Sequence, residues 1–165
     1  MAVILGIPVM ILVVIFQTSV FRSLVLIHGT ADLVLLVIIA VAIRRRGTAS
    51  LAWALMAGLM VGFISGVPWF VFPLAYLGAA ALARFLSSQV WQTPILAMFL
   101  TTLLGTVISE GFQWVALRVQ GVPLPMMESI NLVLLPGLLL NLLLALPVYA
   151  LVTDLTRSVS LEEVA

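Results

Sequence analysis

The 165-residue chain is 64% hydrophobic and 8% charged, with a net charge of +1. These values exclude an ordinary soluble domain, which carries about a quarter charged residues. The mean hydropathy of +1.35 predicts an all-α integral membrane protein, organised as one polytopic membrane domain over residues 1–165. Cysteine is absent and there is one histidine, so disulfides and Cys- or His-rich metal sites are excluded. Without a basic patch, nothing points to nucleic acid.

Six membrane-spanning helices are predicted from the apolar runs and their breaks. The first run lacks the basic start and cleavage site of a signal peptide, so it is interpreted as a retained span. Pro68 and Pro73 divide the uncharged run 47–83, because proline disfavours helix just upstream. This run is interpreted as two short helices joined by a Trp- and Phe-rich turn at an interface, with a re-entrant hairpin as the alternative. The predicted spans cover about 3–21, 29–43, 51–67, 73–86, 95–119 and 130–153.

The arginines predict the orientation of these spans. With six spans, Arg22 and Arg118 fall on one side of the membrane, and the other five fall on the opposite side: Arg44, Arg45, Arg46, Arg84 and Arg157. Arginine concentrates on the cytoplasmic side of membrane proteins, so both termini are predicted to be cytoplasmic. The cluster Arg44, Arg45 and Arg46 is interpreted as a cytoplasmic anchor, with contact to anionic lipid as a second role.

The third span carries a small residue at every fourth position: Ala54, Gly58, Gly62 and Gly66. On a helix these positions share one face that has almost no side chain, so another helix can approach closely. The face is therefore predicted to be a helix-packing surface, used within the protein or by a partner. A substrate groove is the alternative.

The fifth span carries a narrow polar face that includes an acid. The face consists of Thr102, Gly105, Thr106, Ser109, Glu110 and Gln113, with Trp114 beside its end. A carboxylate at membrane depth costs roughly 2.5–3.5 kcal/mol, so Glu110 is expected to face the protein interior or a water-filled cavity. It is interpreted as a hydrogen-bonded member of a polar seam, with proton relay or ligand anchor as alternatives.

Three further polar residues are assigned to this seam. Asn141 lies in the middle of the sixth span and must find a hydrogen-bond partner. Asn131 lies near the outer end of the same span, and Pro136 and Pro147 predict that the span is kinked. Asp32 opens the second span, where it fits as the N-terminal cap of the helix, or as a carboxylate that receives a partner.

Catalysis finds little support in the residues. There is no nucleophile–base pair, no metal-ligand cluster and no phosphate-binding loop, and His28 stands alone in an outer loop. The chain is therefore predicted not to be an enzyme, and to need no cofactor.

Three stretches of the sequence resemble the rod shape-determining protein MreD family: "FQTSVFRSLVLIHGTADLVLLVIIAVAIRRRG", "GLMVGFISGVPWFVFPLAYL" and "NLLLALPVYALV". The chain departs from the family pattern at Ala31, where a proline is usual, and at Gly62, where an aspartate is usual. The resemblance implies a bundle of six helices around an outward-facing central pocket, similar to the substrate-binding (S) components of energy-coupling factor transporters. An outer pocket of this kind suits Glu110, Gln113 and Trp114, with Asn131 nearby.

The resemblance also implies a non-catalytic role in the bacterial cell-elongation machinery of the inner membrane, which maintains rod shape and lateral peptidoglycan synthesis. The expected partner is MreC, a single-span protein with a large external domain, and through it RodA, a class B penicillin-binding protein and MreB. The glycine face or the outer pocket is expected to receive MreC. The alternatives are a substrate-binding S component for a vitamin-like ligand and an ion or proton carrier that depends on Glu110.

Overall fold

The computed structural model describes the backbone of residues 2–21, 29–44, 49–89 and 93–162, and the side chains of residues 8–19, 29–44, 49–89 and 93–156. The described chain is almost entirely helical, which confirms the predicted all-α class. Its elements are α1 (Ala2–Phe16), a π-helical turn (Gln17–Phe21), α2 (Leu33–Arg44), α3 (Ala49–Ile64), α4 (Val71–Gln89), α5 (Pro94–Val119), the short α6 (Met126–Ser129), a second π-helical segment (Ile130–Leu134) and α7 (Leu135–Glu162).

Three stretches of helix within the described residues are long and apolar enough to cross a membrane: Val71–Gln89, Pro94–Val119 and Met126–Thr156. The other apolar helices are shorter. The shortest of them, α2, has 12 residues and is therefore about 18 Å long.

The two helix ends that flank the turn between α3 and α4 differ from the predicted ends, and proline is the reason in both cases. Helix α3 ends at Ile64, three residues before the predicted end at 67, because the residue before Pro68 is disfavoured in helix. Helix α4 begins at Val71, two residues before the predicted start at 73. Pro73 is tolerated there because it lies in the first turn, where its missing N–H has no intrahelical acceptor.

Helix α2 forms the centre of the molecule. All of its residues from Leu33 to Ile43 are buried, as expected for a helix that is apolar on every face. It packs against α1, α3, α4, α5 and α7. Side chains therefore fill the middle of the bundle along the length of α2.

The glycine face of α3 is covered by the start of α4 and by the turn that precedes it. A Cβ added at Gly58 would lie 2.5 Å from Pro73 Cα, and one added at Gly62 would meet the carbonyl oxygen of Trp69. Ala54 is fully buried. Gly66 does not belong to this face, since α3 ends at Ile64 and the Gly66 position is exposed with nothing within 4 Å. The close approach predicted from these residues thus occurs within the chain.

Small residues also line the facing surface of α4. Ala75, Ala79, Ala80 and Ala83 are fully buried, and their short side chains let α4 approach α3 and α5 closely. On α5, a Cβ at Gly105 would meet the side chains of Ile39 and Ala79 at 3.3 and 3.4 Å.

A non-helical segment before α2 packs against the start of α7. A Cβ added at Gly29 would lie 2.5 Å from the Gly137 nitrogen and 2.7 Å from the Val133 carbonyl oxygen. Upstream of Pro136 the helix widens into its π-helical segment, where the sequence predicted a kink. The missing N–H of Pro136 is consistent with this irregularity.

Candidate functional site

Asp32 caps the N-terminus of α2. Its Oδ1 accepts a hydrogen bond of 3.0 Å from the backbone N–H of Leu35, and its backbone carbonyl accepts one of 3.1 Å from the N–H of Leu36. This is the arrangement of an N-cap aspartate, which satisfies one of the free N–H groups in the first helical turn. The carboxylate also lies at the positive end of the helix dipole.

Tyr76 of α4 binds the same carboxylate. Its hydroxyl lies 3.0 Å from Oδ1 and 2.9 Å from Oδ2 of Asp32, so its single hydrogen is shared between the two oxygens. Tyr76 is fully buried, and a buried tyrosine hydroxyl normally finds a hydrogen-bond partner. A hydrogen bond to a charged acceptor is stronger than one between neutral groups. Tyr76 therefore stabilises a carboxylate that is enclosed by helices.

Asn141 connects three helices at this point. Its Oδ1 accepts a hydrogen bond of 2.8 Å from the backbone N–H of Asp32, and its Nδ2 donates one of 3.0 Å to Oγ1 of Thr106. Asn141 and Thr106 are 2% and 1% exposed, so these bonds replace water for both side chains. The partner that the sequence required for Asn141 is thus supplied by α2 and α5.

Gln17, in the π-helical turn after α1, supplies a further hydrogen-bond acceptor at the N-terminus of α2. Its Oε1 accepts a hydrogen bond of 2.9 Å from the N–H of Val34, and its side chain also hydrogen-bonds to Asp32. The N–H groups of Asp32, Val34 and Leu35 therefore each have a side-chain acceptor. We call Gln17, Asp32, Tyr76, Thr106 and Asn141 the polar cluster.

The rest of the predicted seam continues along α5 beyond Thr106. Ser109 is 2% exposed, and the Gln113 amide lies 3.4 Å from both its Oγ and its carbonyl oxygen, which is long for a hydrogen bond. The guanidinium carbon of Arg118 lies over the Trp114 ring, 5.1 Å from its centroid, which is a cation–π contact.

Two polar groups on this part of α5 lack partners within the described chain. Glu110 is partly buried and close enough to Asp32 and Tyr76 to interact with them electrostatically. No described group donates a hydrogen bond to its carboxylate. The Nε1 of Trp114 is buried and has no acceptor among the same residues. Trp114 follows Glu110 by one helical turn, so both residues belong to the outer part of α5.

The remaining predicted residues lie elsewhere. Asn131 is exposed and does not belong to the polar cluster. Arg44 is exposed at the end of α2, and Arg45 and Arg46 lie outside the described residues. Within the described part of the chain, no three His, Cys, Asp or Glu residues are grouped so that they could hold a metal ion.

Sequence reasoning missed Tyr76 and left Gln17 out of the candidate site. The signal for Tyr76 is its place among small residues in "PLAYLGAAALA", because a polar tip on an otherwise buried helix face requires a hydrogen-bond partner. In comparisons with known proteins, no family model matches the chain, no curated protein is significantly similar to it in sequence, and no solved structure is significantly similar to its fold.

Proposed function

We propose that this protein is a non-catalytic, multi-pass subunit of a bacterial inner membrane, and that it acts by binding a second membrane protein through the outer part of α5. The observation that carries the proposal is Glu110, a partly buried acid to which no described residue donates a hydrogen bond. A carboxylate at membrane depth costs roughly 2.5–3.5 kcal/mol. A partner that donates a hydrogen bond to it would offset this cost.

The positions of polar residues along the helix axes support a six-span topology for the bundle. Asp32 and Thr106 both contact Asn141, so they lie at a similar level. From Asp32 to Arg44 the helix rises about 18 Å, and from Thr106 to Trp114 it rises about 12 Å in the opposite direction. The distance between Arg44 and Trp114 is thus close to the hydrocarbon thickness of about 30 Å. A basic residue at one boundary and a Trp–Arg pair at the other fit a cytoplasmic and an outer interface.

In this topology the polar cluster lies within the membrane, about 12 Å below the outer boundary. The non-helical segment at Gly29 lies at membrane depth too, and it is covered by Val133 and Gly137. Irregular backbone is tolerated at this depth when protein covers it. The polar cluster is therefore assigned a structural role, and the partner-binding role goes to Glu110.

The resemblance to the MreD family supplies the identity of the proposed partner. It points to MreC, and through MreC to RodA, the class B penicillin-binding protein and MreB, in a machinery that maintains rod shape. Since the start of α4 covers Gly58 and Trp69 covers Gly62 within the chain, we assign MreC to the outer part of α5 and not to the glycine face. The S-component alternative has weaker support, because side chains fill the bundle along α2 and the polar cluster is internally hydrogen-bonded.

The test is to purify the tagged protein from its own membranes in mild detergent and to identify co-purifying proteins by mass spectrometry. We expect a single-span protein with a large external domain, together with RodA or a penicillin-binding protein. Glu110→Leu is expected to weaken binding of the single-span protein by roughly two- to tenfold and so to lower its recovery, because a hydrogen bond contributes about 0.5–1.5 kcal/mol. Glu128→Leu changes an exposed acid of α6 and is the matched control.

Two results would contradict the proposal. Recovery of paired ATPases with a coupling subunit would replace it with the transporter alternative. Undiminished recovery of the single-span protein by Glu110→Leu would remove Glu110 from the interface. Gel filtration of each variant in detergent separates loss of binding from misfolding.

A further inference from the structure

The turn between α3 and α4 exposes a cluster of large apolar side chains. Phe63, Ile64, Trp69 and Phe70 are 74%, 64%, 56% and 47% exposed. The rings of Phe63 and Trp69 are stacked with their centroids 6.5 Å apart, and Phe70 meets Trp69 edge-on at 6.0 Å. We call Phe63, Ile64, Trp69 and Phe70 the aromatic turn.

Backbone contacts hold this turn in place. The carbonyl oxygen of Trp69 lies against the Gly62 position, which has no room for a Cβ. Ser65 donates hydrogen bonds from its N–H to the Val61 carbonyl at 2.9 Å and from its hydroxyl to the Gly62 carbonyl at 3.3 Å. The N–H of Val71 donates to the Pro68 carbonyl at 3.0 Å. The aromatic rings are therefore displayed by an ordered turn.

The aromatic turn lies at nearly the same height as the Trp114–Arg118 pair. Helix α4 begins five residues before Tyr76, which raises its start about 8 Å above the polar cluster. Trp114 lies about 12 Å above Thr106 on α5. Trp69, which precedes the start of α4, thus falls close to the level of Trp114. Tryptophan is enriched at the level of the lipid headgroups in membrane proteins.

We propose that the aromatic turn is a lipid-binding surface, inserted at the boundary between headgroups and acyl chains of the outer leaflet. The run 47–83 that contains it carries no charged residue, so the surface binds zwitterionic and anionic lipid equally well and is insensitive to salt. The proposal needs α4 and α5 to cross the bilayer and does not depend on the partner of α5.

Fluorescence quenching in lipid vesicles tests this assignment. Trp69 is kept as the single tryptophan by replacing Trp53, Trp91 and Trp114 with Phe, and the protein is reconstituted in phosphatidylcholine. We expect lipids brominated near the carbonyl end of the acyl chains to quench Trp69 more strongly than lipids brominated near the methyl end. The profile is expected to stay the same when anionic phosphatidylglycerol or high salt is added. A second variant that keeps only Trp53, about 15 Å deeper along α3 than Phe63, is the depth control and should show the opposite preference.

Each other outcome overturns the proposal. Strong quenching by aqueous iodide without quenching by brominated lipid would place the turn in water. No quenching by either agent would mean that protein covers the turn, and a rise in lipid quenching when the protein is diluted into more lipid would identify that cover as a second copy. Maximal quenching near the methyl ends would place the turn deep in the hydrocarbon, as in a re-entrant hairpin. Far-UV circular dichroism of both variants confirms that they fold.

Discussion

The close approach of α3 and α4 predicts that one methyl group at Gly58 destabilises the protein. A Cβ at this position would lie 2.5 Å from Pro73 Cα and 2.7 Å from Pro73 N. These are backbone atoms, so no side chain can rotate away. Carbon atoms pack at about 3.5–4.0 Å, which means that α3 and α4 would have to separate by about 1 Å.

The size of the effect follows from two opposing contributions to the free energy of unfolding. Overpacking of this kind costs about 1–3 kcal/mol, while replacing glycine by alanine inside a helix gains about 0.8–1.0 kcal/mol. Gly78→Ala is the matched control, because Gly78 lies inside α4 with nothing within 4 Å of its Cβ position. The helix contribution is common to both variants. We therefore expect Gly58→Ala to be less stable than Gly78→Ala by roughly 1–3 kcal/mol.

The measurement is reversible unfolding in mixed micelles, with the mole fraction of sodium dodecyl sulfate increased and helix content followed by circular dichroism. Gly78→Ala is expected to unfold at the same or a higher detergent fraction than the unmodified protein, and Gly58→Ala at a lower one. Equal stability of the two variants would refute the reasoning, because it would show that α4 yields to the added methyl group without loss.

Two further predictions concern the polar cluster and use the same unfolding assay. Tyr76→Phe removes the hydroxyl that binds Asp32 and is expected to lower the free energy of unfolding by about 1.5–3 kcal/mol. Tyr149→Phe, at a half-buried site, is the control and should change it by no more than about 0.5 kcal/mol. Similar losses of stability in both variants would argue against the Asp32 contact. Asn141→Leu leaves the N–H of Asp32 without its acceptor and is expected to cost at least about 2 kcal/mol. Asn131→Leu, at an exposed position, should be close to neutral, and a larger loss there than at Asn141 would contradict the assigned geometry.

Apolar runs and prolines predict most of the helices in this chain, because an uncharged stretch in a membrane protein has few structures open to it. The boundaries depend on details that the runs do not show. The pattern of small residues at 54, 58, 62 and 66 continues past the end of α3, although Gly66 lies in the turn. Likewise, proline marks a break without saying whether it lies before a helix or in its first turn, as Pro73 does.

The polar cluster could be predicted only in part. The polar face of α5 follows from helical periodicity, and the capping role of Asp32 follows from its place before an apolar run. The contacts of Asp32 with Tyr76 and with Asn141 join residues that are 44 and 109 positions apart in the sequence. Such contacts depend on how the helices pack, and the spacing of residues along the chain does not reveal them.

Two acids lie within the described part of the bundle, Asp32 and Glu110. The described residues offset the free-energy cost of burying Asp32 more fully than the cost of burying Glu110. Asp32 receives hydrogen bonds from Leu35 and Tyr76, and it lies at the positive end of α2. Glu110 has no hydrogen-bond donor among the described residues, and the acid that interacts with it electrostatically, Asp32, would carry a charge of like sign. Asp32 therefore has a structural role, since its removal would leave the N-terminus of α2 uncapped. Glu110 receives no comparable compensation from the described residues, and this difference is the basis of its proposed role in binding.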